Sequence, residues 1–390
     1  MAKAKAWLAN LSDGSRLTRV PWTNCSWERG RNQPESMSIT IPTYTAAARA
    51  LDLKNIATFG KTQLVISEGD TPVAAGAIGL PEYDASSQKY SIPGRGIWDE
   101  MNFRNIMPPS AYGVNPSNFL IPDPADPTKT APNPAYGTYL SGLDLGSIAF
   151  SIVRQSLAAP NGALPIVVPD NRPGTHVRNW DALNFKSVGT ALTDLTEVIN
   201  GPDIRFSKRW KSGPSAQSIE FVMEAGTQDQ PILRSASKPK WTFGTQRATG
   251  KGLKIKFMSD HFGTVFWGLA GAAQDTVLMT RSDSSVLQNA GFPLRDRVIS
   301  DHGDVERLET LQGYSDNERR LAQFGPLEIW EFKVLKNGLV GVGDYDIGDL
   351  CQLRIKDDPI IKDGNYEREI VNMAGDGGPW ITIQTAEVYQ

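Results

Sequence analysis

The sequence predicts an α+β protein that is mainly β, with a β unit at each end of the chain and mixed α/β segments between them. Three observations carry this prediction. Short apolar runs alternate with turn signals at both ends, and apolar residues in the middle recur at helical spacing. Turn-forming residues are also frequent, with 36 Gly and 26 Pro among 390 residues. A chain of this length usually forms two to four domains.

The first 95 residues have the pattern of short strands. Residues 37–41 alternate apolar and polar side chains with a period of two, as a half-buried strand does. Residues 62–66 and 73–78 are further strand candidates, and the Ala-rich stretch 44–53 favours a short helix. Residues 1–95 are therefore predicted to form a small antiparallel barrel or sandwich.

The next segment, residues 96–140, is predicted to be a Pro-rich insertion. Its prolines lie within residues 107–134, and each fixes φ and removes a backbone donor, so neither a helix nor a central strand can persist over 107–134. Two interpretations remain open: a functional excursion that lies against a neighbouring chain or is partly mobile, and a variable insertion without activity. The prolines are Pro108, Pro109, Pro116, Pro122, Pro124, Pro127, Pro132 and Pro134.

Residues 141–326 are predicted to be mixed α/β. One helix is indicated by apolar residues at three- and four-residue spacing from Leu145 to Leu157, and a second by the cap Ser187 before an apolar stripe that ends at Ile199. Strands are predicted after it, and a third helical stretch is predicted over 304–323.

From Leu327 the pattern is β again, so residues 327–390 are predicted to form a C-terminal β unit. Trp330, Phe332 and Val334 alternate with polar side chains, and Asn337-Gly338 is a strong signal for a hairpin turn. Three more strands are predicted, at 349–355, 367–371 and 380–388.

Signals for catalysis are scarce. The three histidines are scattered, and neither a metalloprotease helix motif nor a serine-hydrolase elbow occurs. The glycine-rich stretch 244–252 has the wrong spacing for a phosphate loop. Asp344, Asp346 and Asp349 lack the Gly and Glu positions of a calcium-binding loop. The sequence therefore predicts no enzyme, no cofactor and no metal site.

Cysteine usage and hydropathy give two more expectations. Cys25 and Cys351 lie at opposite ends of the chain, which favours buried free thiols over a disulfide. No apolar run has the length of a secretory signal or of a membrane-spanning helix. We therefore expect no membrane span and no export by a standard signal.

Charge is unevenly distributed although the net charge is only −3. No acidic residue occurs between Asp229 and Asp260, and this basic stretch is either a contact surface for an acidic partner or a solvated strand face. Its members are Arg234, Lys238, Lys240, Arg247, Lys251, Lys254 and Lys256. By contrast, acidic residues that include Asp344, Asp346 and Asp349 are concentrated in the C-terminal unit.

Three segments resemble minor tail proteins of siphophages that infect actinobacteria, the tail-tip or baseplate-hub family, which is similar to the hub proteins of contractile phages. These segments are 147–166, 180–206 and the C-terminal end. At that end, Asp346-Ile347-Gly348-Asp349-Leu350 and Asp363-Gly364-Asn365-Tyr366 form turns in which Gly and Asp adjoin an apolar residue. The resemblance covers residues 140–390 and leaves the Pro-rich stretch unexplained.

The resemblance implies a structural virion protein whose β units at 1–95 and 327–390 are barrel-like tube domains. Three chains would form a ring that continues the tail tube, with residues 141–326 outside it. The implied partners are the distal tail or tail tube protein, the tape-measure protein and tail fibre or receptor-binding proteins, and DNA would pass without specific binding. The protein would be made in the host cytoplasm and reside in the virion tail tip.

Two further expectations follow from the implied ring. At least one of Asp344, Asp346 and Asp349 is expected to face the lumen and repel DNA, while the basic stretch faces outward. The alternative function is a tail-associated cell-wall hydrolase or a carbohydrate-binding tail module. A pair of carboxylates flanking a cleft would support that alternative.

Overall fold

The computed structural model describes residues 4–213, 218–258, 262–270, 277–300, 305, 307–322 and 327–388. The fold is mainly β, as predicted, with most helices short. In chain order, the elements of the N-terminal part are β1 (Lys5–Asn10), β2 (Arg16–Val20), β3 (Asn24–Gly30), β4 (Ser36–Pro42), α1 (Ala46–Arg49), α2 (Leu53–Ile56), β5 (Thr62–Glu68), β6 (Thr71–Ala77), β7 (Glu82–Asp84), β8 (Lys89–Arg95) and α3 (Ile97–Met101).

The middle and C-terminal parts contain the longer elements. The middle part has β9 (Leu120–Pro122), β10 (Thr130–Pro132), β11 (Thr138–Leu143), α4 (Leu145–Leu157), β12 (Ile166–Val167), β13 (Pro173–Trp180), α5 (Val188–Glu197), β14 (Ile204–Trp210), β15 (Ile219–Ala225), β16 (Lys240–Phe243), β17 (Gly250–Met258), β18 (Val265–Ala270), β19 (Leu278–Asp283), α6 (Ser285–Asn289), β20 (Asp296–Ile299) and α7 (Leu308–Ala322). The C-terminal part has β21 (Leu327–Leu335), β22 (Leu350–Ile355), β23 (Gly364–Gly375) and β24 (Trp380–Glu387).

One ten-stranded sheet joins the two ends of the chain, and we call it the main sheet. Its strand order is β17-β21-β24-β23-β3-β4-β8-β7, with β22 beside β23 and β16 beside β22. The joint is the antiparallel pairing of β23 with β3, from Asn372 opposite Gly30 to Gly375 opposite Trp27. A second sheet has the order β2-β1-β5-β6.

This topology differs from two separate barrels at the chain ends. Strands of 1–95 and of 327–390 share the main sheet and one apolar core, and no sheet of the described residues closes into a barrel. The physical reason is that β3 and β23 each retain a free edge, and pairing those edges satisfies backbone groups that water would otherwise solvate.

Two apolar cores lie on opposite faces of β5 and β6. Leu64 and Phe332 belong to the core under the main sheet, whereas Val65, Phe150 and Phe221 belong to the core formed with α4, α5 and β15. Every residue of β5 is buried, because the strand is covered on both faces. The mixed α/β part is thus attached to the β part through a shared central layer.

The predicted helices are found, with two differences. Asp144 accepts a hydrogen bond from the Ser147 backbone N–H at 2.6 Å and caps α4, and Ser187 caps α5. The Ala-rich stretch 44–53 gives only the single-turn helix α1, and a second single turn, α2, begins at its last residue. The third predicted helix covers 308–322, with most of 301–306 outside the described residues.

The hairpin predicted at Asn337-Gly338 is wrong. Asn337 bridges to Gly341 inside the loop that follows β21, and β21 pairs with β17 and β24 and not with β22. A local turn forms at Asn337-Gly338, but it does not connect two paired strands, because β21 and β22 pair with other strands of the main sheet.

The Pro-rich segment lies on the surface. No residue from 112 to 137 is buried. A short hairpin of β9 and β10 and the stacked rings of Phe119 and Tyr136, 5.0 Å apart, order this projecting arm. Met107 and Ala111, by contrast, are buried, and Ile106 belongs to the core formed with α4, α5 and β15, so the beginning of the stretch is anchored.

Replacing residues 113–136 by a short Gly-Ser linker is expected to change the melting temperature by less than about 2 °C, because no buried contact is lost. Differential scanning calorimetry of the two proteins measures it. A drop of more than about 5 °C would show that the arm supports the folded chain. A matched control is Met107→Ala, which removes a buried side chain at the base of the arm and should lower the melting temperature.

Candidate functional surface

The main sheet has one apolar face and one polar face. In β4, Met37, Ile39 and Ile41 are buried, while Ser36, Ser38 and Thr40 point to the opposite side and are half-exposed. The other long strands alternate in the same way. Because side chains of successive strand residues point to opposite faces, this alternation produces a continuous polar surface.

The polar face is continuous across the joint between the two chain ends. The hydroxyls of Ser26 and Ser38 lie 3.0 Å apart, and Asn372 donates to Glu28 at 2.9 Å across the β3–β23 pairing. Directly opposed residues form one row across seven strands: Arg95, Ser36, Glu28, Ala374, Thr382, Lys333 and Lys251. We call this surface the polar face.

The polar face is concave near the joint. A hollow of about 410 Å³ is lined there by side chains of β3, β4, β21, β23 and β24. Ser26, Ser38, Glu28 and Thr382 supply hydroxyl and carboxylate groups to this hollow, with Trp380 at its margin. Lys333 and Asp376 also line the hollow, so its small hydroxyls lie beside charges of both signs. Such a lining suits contact with water rather than with a large apolar ligand.

Lysines concentrate at the β17 end of the polar face. Lys251 Nζ lies 3.5 Å from the ring centre of Trp380, and Lys256 Nζ lies 2.6 Å from Glu331 Oε2. The hydrogen bond from Lys256 holds the pKa of the Glu331 carboxyl below its usual value. Lys254 lies directly opposite Glu331 on the neighbouring strand.

The structure separates the seven residues of the predicted basic stretch. Lys251, Lys254 and Lys256 lie on the polar face, whereas Lys240 lies on β16, which pairs with β22. Arg247 is exposed in the turn between β16 and β17. Arg234 binds Glu369, and Lys238 binds Glu367 at 2.9 Å. The stretch is therefore divided between β17 on one side and β16 with the segment before it on the other, and its role as a contact surface stays a prediction.

The three predicted lumen-facing aspartates have different environments. Asp349 is fully buried and accepts hydrogen bonds from Ser235 N at 2.5 Å and Ser235 Oγ at 2.7 Å, so the expectation that at least one of the three faces a lumen now concerns Asp344 and Asp346. Its buried carboxylate fixes the loop before β22 and contacts no solvent. Asp344 is exposed and accepts a hydrogen bond from the Gly341 backbone N–H.

Asp346 is half-buried between two guanidinium groups. Its carboxylate lies 3.1 Å from Arg29 and 3.5 Å from Arg205. Burial raises the pKa of Asp346, but Arg29, Arg205 and Lys208 lower it more, so the pKa lies below its usual value. The carboxylate therefore stays charged at neutral pH and joins β3 to β14.

Asp346→Asn is expected to destabilise the fold at pH 7 and to have a smaller effect at pH 3, which lies below the ordinary pKa of the carboxyl group. A carboxylate with a lowered pKa stabilises the folded state above its unfolded pKa, and this contribution is lost as the pH falls through the folded pKa. Urea unfolding at both pH values measures the difference, with Asp344→Asn as the exposed control. Equal losses for Asp346→Asn at pH 7 and pH 3 would contradict the assignment.

A cluster that sequence reasoning missed connects the mixed α/β part to the main sheet, and we call it the charged junction. Arg31 Nε lies 2.7 Å from Asp203, and Arg31 also binds Glu369. Glu369 binds Arg234 at 2.7 Å as well. Asp203 and Glu369 are buried. No spacing in the sequence marks this cluster, because its members come from four distant segments.

No group of three His, Cys, Asp or Glu side chains that could hold a metal ion occurs in the described part of the chain. In the same part, no helix is both long and apolar enough to cross a membrane. Cys25 and Cys351 are buried free thiols, as predicted, and burial raises the pKa of each to about 12.

Comparison with known proteins identifies the fold. Neither a protein-family model nor a curated protein sequence matches the chain. Among solved structures, the chain is similar to a 43 kDa tail protein of prophage MuSo2 from Shewanella oneidensis, with a TM-score of 0.56, 13% identity and 98% of each chain covered. It is also similar to a tail protein from Neisseria meningitidis, with a TM-score of 0.55, 12% identity, and 99% of this chain and 97% of that chain covered. The chain therefore has the fold of these phage tail proteins over nearly its whole length.

Proposed function

We propose that this chain is a structural protein of a phage-type tail, a tail-tip or baseplate hub that closes or extends the tail tube. Three copies form a ring, and the polar face of each lines the channel for DNA and the tape-measure protein. The observation that carries the proposal is the polar face itself, which crosses without interruption from N-terminal to C-terminal strands. The likeness in fold to two phage tail proteins supports it.

The chemistry of the polar face suits a channel through which DNA slides. Ser26, Ser38, Thr40 and Asn372 are neutral and hydrogen-bond with water, so they offer a passing phosphate backbone no fixed charge. Sequence-independent DNA affinity comes almost entirely from Lys and Arg contacts to phosphates. A wall in which uncharged hydroxyls lie beside charges of both signs, such as Glu28 and Lys333, therefore permits passage without retention.

The lysines at the β17 end change the electrostatic expectation for the channel. With the polar face toward the channel, Lys251, Lys254 and Lys256 lie near the lumen, and of the three aspartates only Asp344 is exposed. Lys256 forms an ion pair with Glu331, and Lys251 stacks on the ring of Trp380. Passage without binding then depends on the uncharged hydroxyls and on the ion pair of Lys256 with Glu331, more than on an acidic lining.

In this proposal the mixed α/β part lies outside the ring and contacts the distal tail components. The partners implied by the sequence resemblance are the tail tube protein, the tape-measure protein and fibre or receptor-binding proteins, and the site of residence is the virion tail tip. The resemblance narrows the source to siphophages of actinobacteria. The β3–β23 joint supports this arrangement, since it holds the strands of both chain ends in one wall.

The mass of the purified protein in solution, combined with electron microscopy of the same sample, tests the proposal. We expect particles of three copies with an open centre. A single copy at every concentration, and no ring in the presence of the tail tube protein, would contradict it.

A further inference from the structure

Two of the terminal strands of the main sheet, β17 and β7, have a free edge. In the described residues, β17 pairs only with β21 and β7 pairs only with β8. Each edge strand therefore presents backbone N–H and C=O groups that no described strand takes up. Free edges of this kind are templates for pairing with another chain.

The two edges carry opposite charge on the same face. Lys254 lies opposite Glu331, and Glu82 lies opposite Ser91, and both of these partners belong to the polar face. The β17 edge therefore presents Lys251, Lys254 and Lys256 there, and the β7 edge presents Glu82 and Asp84. Opposite charges on directly opposed residues of adjacent strands stabilise their pairing.

The other face of each edge is apolar. On β7, Tyr83 lies opposite Tyr90, with ring centres 6.5 Å apart, and Tyr83 is more than half exposed although Tyr90 packs against the main core. On β17, Leu253 and Ile255 are half-buried at the margin of the same core. If the two edges lay side by side, Tyr83 would contact Leu253 and Ile255 on the apolar face. On the polar face, the acidic residues of β7 would lie beside the lysines of β17.

We propose that the β7 edge of one copy docks beside the β17 edge of the next copy, so that the main sheet continues from copy to copy. The proposal rests on the proposed function and names its subunit interface. The contact is head-to-tail, because two different edges meet, and such a contact forms a closed ring when the rotation between copies completes a turn. Since β7 has only three residues, backbone pairing is short and the side chains at 82 and 254 set the register.

Cross-linking between copies tests the interface. Glu82→Cys and Lys254→Cys proteins are prepared separately, mixed and treated with a short bis-maleimide. We expect covalent dimers only in the mixture, and covalently closed trimers when one chain carries both substitutions. The wild-type protein is the control, since Cys25 and Cys351 are buried and should not react in the folded protein.

Charge reversal supplies an independent test of the same contact. Glu82→Lys and Lys254→Glu are each expected to weaken self-association about three- to fivefold, because like charges then face each other. The protein carrying both reversals should recover most of the affinity, since the pair is restored with exchanged signs. Asp229→Lys, at an exposed position between β15 and β16 and on neither edge strand, is the matched control and should leave the affinity unchanged.

The outcomes separate this inference from the proposed function. A three-copy ring that gives no 82–254 cross-link overturns the edge contact and leaves the hub role intact. Charge reversals that leave the affinity unchanged also overturn the edge contact, and show that the lysines only protect the β17 edge from aggregation. A protein that is a single copy under all conditions overturns both.

Discussion

Lys336→Met is expected to lower the free energy of unfolding by about 3 to 5 kcal/mol, because it leaves a buried carboxylate without its partner. Lys336 Nζ lies 2.6 Å from Glu68 Oε2, and each side chain is only 3% exposed. Glu68 ends β5 in the second sheet, and Lys336 follows β21 in the main sheet. The ion pair therefore joins the main sheet to the second sheet, and these two sheets enclose the core under the main sheet.

Urea unfolding followed by tryptophan fluorescence measures this loss. Lys333→Met, at an exposed position on β21, is the matched control and is expected to change stability by less than about 0.5 kcal/mol. The double variant Lys336→Met with Glu68→Gln removes both charges and should recover a large part of the loss. A loss below about 1 kcal/mol for Lys336→Met alone would be typical of an exposed ion pair and would contradict the burial of this one.

Glu369→Ala is expected to cost about 3 kcal/mol, because it opens the charged junction. Glu369 is buried and binds both Arg31 and Arg234. Its removal leaves two guanidinium groups partly buried, with only Asp203 to neutralise Arg31. The mixed α/β part should consequently be held less firmly, and hydrogen exchange at the start of β14 should accelerate.

The neighbouring Glu367 offers a matched control on the same strand. Glu367 is exposed and pairs with Lys238, whose side chain is also exposed, so Glu367→Ala is expected to cost no more than about 1 kcal/mol. Urea unfolding and hydrogen exchange of the two variants give the comparison. Equal losses, or unchanged exchange in β14 after Glu369→Ala, would show that the junction does not hold the two parts together.

The elements that local chemistry determines are those that could be predicted from the sequence. The α4 helix follows from its apolar spacing, and β4 follows from alternation over residues 37–41. In both elements the deciding interactions lie within a few residues of one another. Burial of Cys25 and Cys351 followed from their residue type and their separation.

Strand pairing could not be predicted, because it is decided between distant residues. The pairing of β3 with β23 joins residues near 30 to residues near 372, and no property of either strand alone selects the other. The Asn337-Gly338 turn shows the same limit, since β21 pairs with β17 and β24 instead of β22.

Charge was harder to interpret from the sequence than secondary structure was. Asp344, Asp346 and Asp349 look alike in sequence, yet their environments differ. Asp344 is exposed, Asp346 lies between two arginines, and Asp349 is buried and accepts hydrogen bonds from Ser235. The fate of a charged group depends on which partners the fold brings within a few ångströms. The charged junction was missed for the same reason.

The proposed hub role depends most of all on the polar face lining the channel of the assembled protein. A side-chain-resolution electron microscopy map of the assembly, free or in the tail, shows directly which side chains border that channel. We expect Ser38, Asn372 and Thr382 of every copy to border it, with the mixed α/β part outside. A map in which these side chains face outward, or in which another surface of the chain borders the channel, would contradict the proposed role.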